Sequence, residues 1–439
     1  MASSERASSV NYQDRLQKVI PGGAHTYSRG ADQFPANAPQ ILVRGKGAYV
    51  YDDQGHRFLD YGMALRAVNI GYAEDEIDAA AIAEIKNGNN LTRPSMVELR
   101  AAEGLVELID SIDMVKFTKN GSTSVSAAVK LARAYTGRDL VARCAEHPFF
   151  SYDDWFIGST PLTRGIPGAV IEQTKLFRYD DIDSLRDLFD RHPGQIACVV
   201  LEPATVAHPS DGFLQNVQAL CRDRGAVMVL DEMITGFRWH LKGAQAYYGV
   251  RPDLCTFGKA MANGYSVSCV AGRREIMELG SIETEGRERL FLLSTTHGAE
   301  MSGMGAFVAT MDFLQREPVI DHLWSYGRQL VALINEIARE SGVEASLKAG
   351  GVPCSPYFST LGRDGSPSLE LRTLLVQEMV RHGVLMPWLA LSYRHGREEL
   401  ARTAEALRAA LPVYRRGLEQ GVRNLLLGPI IKPVFRKFN

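Results

Sequence analysis

In the stretch TFGKAMANGYSVS, residues 256–268, one lysine stands among small, apolar and neutral side chains. Lys259 follows the run DLCTF and precedes the loop AMANG, which places it at the end of a strand. A lysine is ordinarily a solvated surface charge. One desolvated at a strand end loses pKa, becomes a free amine near neutral pH, and can attack a carbonyl carbon to form a Schiff base. A carboxylate occupies a matching position: in GAVMVLDEMITGFR, Asp231 closes the apolar run 227–230. Strand-terminal carboxylates often do no more than cap the following loop.

An amine nucleophile and a carboxylate on neighbouring strands are the two groups that a pyridoxal cofactor requires. The amine holds its aldehyde, and the acid keeps its ring nitrogen protonated so that the ring can absorb electrons. The phosphate of such a cofactor seeks main-chain N–H groups and hydroxyls at the start of a helix. KFTKNGSTSVSAAVKLARAY offers Gly121, Ser122 and Thr123 between a strand and a well-patterned helix. Plain capping by Ser122 or Thr123 accounts for the same residues, so the segment acquires meaning only beside Lys259 and Asp231. No metal site is expected. His25, His147 and His297 lack HxxxH or HExxH spacing and read as hydrogen-bonded structural residues. GAHTYSRG and KAGGVPCSP lack GxGxxG and Walker A spacing, and no GxSxG elbow is present.

The elements that must position these residues follow from pattern. QILVRGKGAYVYDDQGHRFLDY reads as a hairpin about the turn Asp52-Asp53-Gln54-Gly55. Apolar runs then alternate with helical patterns: MVKFT, VSAAVKLARAYTG, DLVARCA, ACVVLEP, GFLQNVQALCRDRG, AVMVLDE, DLCTFGK and SVSCVAG. Such alternation predicts an α/β fold with a mostly parallel sheet covered on both faces, whose ligands gather at the carboxyl ends of the strands. After about residue 310 the texture changes to long amphipathic helices with few strands, such as SPYFSTL. We expect residues 1–70 to contribute to a small domain, 71–315 to form the large one, and 316–439 to complete the small α+β domain.

The 439 residues exceed what one core supports. At 45% hydrophobic, 23% charged and net charge −2, the chain is an ordinary globular protein with no bias towards nucleic acid. Six cysteines without a CxxC pair point to reduced thiols, and no stretch reaches signal-peptide or membrane-spanning length, so a cytoplasmic location is expected. The tail NLLLGPIIKPVFRKFN is basic and apolar, but Pro429 and Pro433 interrupt any amphipathic helix. Packing on the protein's own dimer is therefore expected over a membrane surface.

GSTSVSAAVKLARAYTGRD, LEP, LDEMITGFR, PDLCTFGKA and IPGGAHTYSRG together resemble the class III pyridoxal-phosphate-dependent aminotransferases of fold type I. Within them the chain is most similar to glutamate-1-semialdehyde aminomutase and its relatives. The resemblance runs from about Pro21 to about Ala410. It implies that Lys259 is the Schiff-base lysine and Asp231 the partner of the pyridine nitrogen. Gly121 and Ser122, with Thr123, would take the phosphate; Phe149 would stack on the ring, Met233 would pack on its other face, and Glu202 would lie beside its hydroxyl edge. Thr296 corresponds to a threonine that reaches the phosphate of the other subunit, which implies a homodimer with shared active sites.

Several positions depart from the family pattern. Its Tyr-His-Gly is Phe149-Phe150-Ser151 here, and Thr123 replaces a glutamate. Leu65 and Arg66 fall where the aminomutase has a tryptophan wall, and LMPWLALS lacks its gating acid. The expectation is therefore an aminotransferase that moves nitrogen from an amino acid, glutamate by family analogy, to a ketone or aldehyde of unspecified skeleton, such as a keto-sugar or secondary-metabolite intermediate. Arg29, Arg66 and Arg238 are candidates to hold a substrate carboxylate. The competing readings are an aminomutase, racemase or decarboxylase on the same cofactor, and a catalytically silent regulator.

Overall fold

The computed structural model describes residues 11–283 and 285–438. Its largest sheet has seven strands: β1 (Met114–Thr118), β2 (Leu140–Cys144), β3 (Thr174–Phe177), β4 (Ile196–Leu201), β5 (Val227–Asp231), β6 (Leu254–Phe257) and β7 (Ser268–Gly272). They lie in the order β1-β7-β6-β5-β4-β2-β3. All pairings are parallel except those of β7, which runs antiparallel to both β1 and β6.

β4 and β5 are buried along their whole length, as continuous apolar runs covered on both faces must be. Alternate residues serve opposite layers. Cys198, Val200 and Val229 pack with Val125, Ala128 and Leu131 of the helix Gly121–Thr136. Val199, Leu201, Met228 and Leu230 pack with Leu185, Phe189 and Val217 of the helices Ile182–Arg191 and Phe213–Arg224.

The hairpin is present. Strands Tyr49–Tyr51 and Arg57–Asp60 pair antiparallel, with Arg44–Lys46 added at the edge. Asp52 holds its turn by accepting from the main-chain nitrogens of Gln54 and His56. The fourth strand of this small sheet is Val384–Leu385, parallel to Arg57–Asp60 with Leu385 opposite Asp60. The start of the chain is thereby joined to its last third. Long helices, Val319–Glu340, Leu369–Arg381 and Arg397–Gln420, surround a second, two-stranded pairing of Leu347–Gly350 with Tyr357–Thr360.

All six cysteines are buried and free. No helix among the described residues is long and apolar enough to cross a membrane. The basic tail returns over its own chain. Lys432 donates its main-chain N–H to the Asp32 carbonyl at 2.9 Å, Arg436 meets the Asp32 carboxylate, and Phe435 packs against the apolar layer beneath the helix Gly121–Thr136.

Candidate active site

Parallel pairing brings the carboxyl ends of β4, β5 and β6 side by side, and each continues into a residue able to do chemistry. Glu202 follows β4, Asp231 ends β5 opposite Thr256 of β6, and Lys259 follows β6 after Gly258. Lys259 has φ +46°, in the left-handed region that costs an L-residue roughly 1–2 kcal/mol. It opens a short 3-10 turn, Lys259–Ala262, which ends at Asn263. The Asn263 side chain accepts from the Ile70 N–H at 3.1 Å and donates to the Gly71 carbonyl at 2.9 Å, tying the lysine's loop to residues 70–71. A side chain at Gly258 would collide with Ser268 and stand 2.6 Å from the Met233 sulfur, so the lysine can approach along this path only behind a glycine.

Asp231 is 2% exposed. Its Oδ1 accepts from the Met233 N–H at 2.9 Å and the Thr256 hydroxyl at 3.2 Å; among the described residues nothing bonds its Oδ2. Burial pushes its pKa up to about 6, against the pull of the Lys259 charge. Glu202 is buried too, and burial together with the Asp231 charge pushes it up to about 8, while Lys259 and Arg66 oppose the rise. Of the two acids Asp231 is the one that stays ionised, because it faces the lysine and accepts two hydrogen bonds. Lys259 is only part-buried, its side chain open to the cleft. The surrounding protein still lowers its pKa by desolvation, and Asp231 and Glu202 draw it back. The main-chain N–H of Glu202 donates to His147 Nδ1 at 3.0 Å, which puts the imidazole proton on Nε2, and burial pushes the pKa of His147 down to about 3.

These shifts predict a pH signature in the apoprotein. Between about pH 4.5 and about 8 folded Glu202 keeps a proton that the unfolded chain has released, so its contribution to stability is present at low pH and is lost as pH rises through 8. Lys259, depressed in the fold, acts in the opposite sense, so the informative quantity is a difference between two curves. The thermal midpoint of the parent should fall more between pH 6.5 and 8 than that of Glu202→Gln, which imitates the protonated acid. Parallel curves would contradict this assignment.

At the amino end of the helix Gly121–Thr136 the cap is Asn120, whose Oδ1 accepts from the Thr123 N–H at 2.9 Å and the Thr123 hydroxyl at 3.1 Å. Capping therefore does not explain Ser122. The main-chain N–H groups of Gly121 and Ser122 have no acceptor among the described residues, as an anion-binding helix start requires. The buried Ser122 hydroxyl accepts from the Tyr152 N–H at 3.2 Å. Met233 fills the space over Gly121, its sulfur 2.7 Å from where a Cβ would stand. Phe149 is 46% exposed, edge-on to Phe156, whereas Phe150 is buried between Phe156 and His147.

The three arginines separate. Arg66 lies within range of the charges on Glu202, Lys259 and Arg238, and its guanidinium makes no hydrogen bond or salt bridge among the described residues. Arg238, expected to face substrate, is 1% exposed and donates to the carbonyls of Leu391 at 3.1 Å and Arg66 at 3.0 Å. It supports Arg66 from behind and presents no surface to a substrate, because both terminal nitrogens serve main-chain carbonyls. Arg29 is exposed, within charge range of Tyr72. Thr296 lies in an exposed loop, its carbonyl accepting from Asn90 at 3.0 Å, and no bond or charge coupling joins it to Lys259 within one protomer.

Sequence reasoning missed the supports of this group: Thr256, Asn263, His147 as an acceptor, and the pair Asp60 and Tyr72. Only register or contact reveals them. A surface depression lined by Asp110, Arg222, Arg251 and Arg273 lies at the opposite ends of the strands and includes none of these residues.

The residues fit pyridoxal phosphate. A lysine amine of lowered pKa adjoins a buried carboxylate that has one oxygen unbonded among the described residues, and a sixteen-residue helix offers two N–H groups at its start that are unpaired among them. The comparisons agree. Residues 28–386 match the family model of class III aminotransferases. The chain is 32% identical over 422 residues to 3-aminobutyryl-CoA aminotransferase of Cloacimonas acidaminovorans, covering 94% of this chain and 98% of that one. It is 31% identical to glutamate-1-semialdehyde 2,1-aminomutase of Francisella philomiragia over 75% of this chain and 77% of the relative. Among solved structures, the pyridoxal phosphate internal aldimine form of the Sphingopyxis sp. MTA144 FumI protein superposes with a TM-score of 0.85 at 28% identity, over 93% of this chain and 97% of that one. An omega-transaminase from Sphaerobacter thermophilus gives 0.82 at 26%, over 94% and 99%. With the fold, the cleft and the family model all in agreement, the chain belongs to the class III aminotransferases, pyridoxal-phosphate-dependent enzymes of fold type I.

Proposed function

We propose that the protein transfers an amino group from a carboxylate-bearing amino acid, glutamate first among candidates, to a ketone or aldehyde. The observation that carries this reading is the Arg66 guanidinium, which lies within range of the charges on Lys259 and Glu202 and has no hydrogen-bonded partner among the described residues. A desolvated guanidinium favours bidentate pairing with a carboxylate. Arg29, near Tyr72, adds a second positive charge on the amino-terminal segment.

Bound pyridoxal phosphate supplies an aldehyde carbon and a ring that accepts electrons. The Nζ of Lys259, whose pKa desolvation lowers, would take the proton from the amine-bearing carbon of the donor. Asp231 keeps a negative charge available at Oδ2 for an N–H partner, its other oxygen being fixed by Met233 and Thr256. Gly121 and Ser122 would receive the phosphate at the helix start, whereas Thr123, expected to share it, already gives its N–H and hydroxyl to Asn120; Phe149 and Met233 would lie against the ring and Glu202 at its hydroxyl edge. We read 71–315 as the large domain and 1–70 with 316–439 as the small one, supported by the pairing of Val384–Leu385 with Arg57–Asp60.

We also propose a cytoplasmic homodimer in which Thr296 of one protomer completes the phosphate site of its partner. Support comes from exposed Ile82, Ile85, Leu91, Met96 and Leu99 on and between the helices Asp75–Lys86 and Met96–Leu108, an apolar face for a second copy to cover.

The test is a screen of amino donors by the first half-reaction, followed by carbonyl acceptors. Glutamate should convert the bound cofactor to its amine form, and nitrogen-15 from the donor should appear in a second product. Rearranged nitrogen within one substrate would instead support an aminomutase, the activity of the Francisella philomiragia relative. Released carbon dioxide would support a decarboxylase, and no conversion by any amino acid would support a silent regulator.

A further inference from the structure

We infer that Asp60 and Tyr72 are positioning residues for the substrate carboxylate, because together they hold the backbone turn that delivers Arg66. The inference rests on the reading of Arg66 as the group that meets that carboxylate.

Met63, Ala64, Leu65 and Arg66 have φ of 38, 49, 63 and 66°. Four consecutive non-glycine residues in the left-handed region do not persist unless the surroundings over-determine them. Here they do. Buried Asp60, at the end of the strand Arg57–Asp60, accepts from the Gly62 N–H at 2.7 Å through Oδ1 and from the Met63 N–H at 3.0 Å through Oδ2. The Tyr72 hydroxyl donates to Asp60 Oδ2 at 2.6 Å and accepts from the Ala64 N–H at 2.7 Å. Carboxylate and phenol thus receive the first three N–H groups of the segment in sequence, and the Arg66 N–H closes the turn on the Gly62 carbonyl at 3.2 Å.

The carbonyls are held from outside. Trp388 Nε1 donates to Gly62 at 3.1 Å and Arg238 Nη2 to Arg66 at 3.0 Å. The turn is consequently fixed at both ends, while the Arg66 guanidinium makes no hydrogen bond or salt bridge among the described residues and interacts with the charges of Glu202 and Lys259. A turn kept merely for packing would need Met63 inside, which is so, but would not place an unbonded cation beside the reactive lysine. Tyr72 also lies within charge range of Arg29, so one phenol adjoins both positive groups proposed for substrate.

The experiment compares parent and Tyr72→Phe holoenzymes. Glutarate, a dicarboxylate without an amine, is titrated against the visible spectrum, and half-reactions are followed with L-glutamate and with 1-phenylethylamine, a donor without a carboxylate. In Tyr72→Phe the Ala64 N–H loses its acceptor and Asp60 Oδ2 loses one of its two donors, keeping the Met63 N–H. The glutarate Kd and the glutamate KM should both rise about tenfold, with kcat for glutamate within about twofold and kcat/KM for 1-phenylethylamine unaltered. Equal losses for the donors with and without a carboxylate, no change in glutarate affinity, or a parent that does not bind glutarate would overturn the proposal.

Arg66→Gln separates the two levels. If it leaves glutarate affinity intact, the reading of Arg66 itself is wrong; if it weakens glutarate while Tyr72→Phe does not, only the positioning role fails. Should Tyr72→Phe not fold, Trp388→Phe removes the bond to Gly62 alone. It should shift the ratio of glutamate to 1-phenylethylamine kcat/KM about threefold, with an unchanged ratio counting against the proposal.

Discussion

Replacing Lys259 with alanine should abolish the visible absorbance band of bound pyridoxal phosphate and reduce turnover by at least about 10⁴-fold, while the protein still unfolds cooperatively. The loss should be large because the proposed reading puts two functions on one nitrogen: it would hold the cofactor's aldehyde and carry the proton. The fold should survive because the side chain makes no hydrogen bond among the described residues and because removing a desolvated cation leaves no packed layer open. Absorption spectra and thermal unfolding of the purified variant check both halves. A retained band would mean that another amine carries the cofactor, and the account of this cleft would fail.

Asp231→Asn is the second large effect. The amide has the shape of the acid and can still accept from Met233 and Thr256, so the end of β5 should keep its geometry. What disappears is the negative charge near Lys259 that the proposed reading assigns to the ring nitrogen. Loss of one such electrostatic contact in a dry site costs about 10²–10³ in kcat. We expect a half-reaction slower by that factor with the cofactor band still present, and partial recovery in Asp231→Glu. A variant as fast as the parent, measured by stopped-flow absorbance, would remove Asp231 from the chemistry. Loss of the cofactor altogether would assign it a holding role.

The contrast between Lys259 and Arg238 shows how far a sequence can be read. Both are cations in loops that follow strands. Lys259 is surrounded in sequence by residues that cannot solvate it, so its perturbed chemistry is legible from neighbours along the chain. Arg238 stands in a motif, TGFR, that equally suits a substrate contact or an internal support. Its partners, the carbonyls of Leu391 and Arg66, come from both ends of the chain, and no local pattern encodes them. The capping of the phosphate helix is similar. Asn120, Ser122 and Thr123 are all competent caps, and backbone geometry chose the first.

Strand direction escaped in the same way. SVSCVAG has the period of a strand in either sense, and β7 proves antiparallel to both neighbours. The turn Met63–Arg66 is less legible still, since nothing in MALR announces left-handed backbone where glycine would be the usual signal.

The sequence by itself determined the layered α/β architecture, the strand ends that carry Glu202, Asp231 and Lys259, and the helix start at Gly121, because those depend on hydrophobic period and on residues adjacent along the chain. Tertiary structure alone decided that Val384–Leu385 joins the first hairpin, that the tail lies over Asp32, that Arg238 supports rather than binds, and that Asp60 and Tyr72 bend the chain to bring Arg66 into the cleft. Each of these is a contact between segments far apart in the chain. Such contacts are set by the shape left after the core has packed, which no local run of residues specifies.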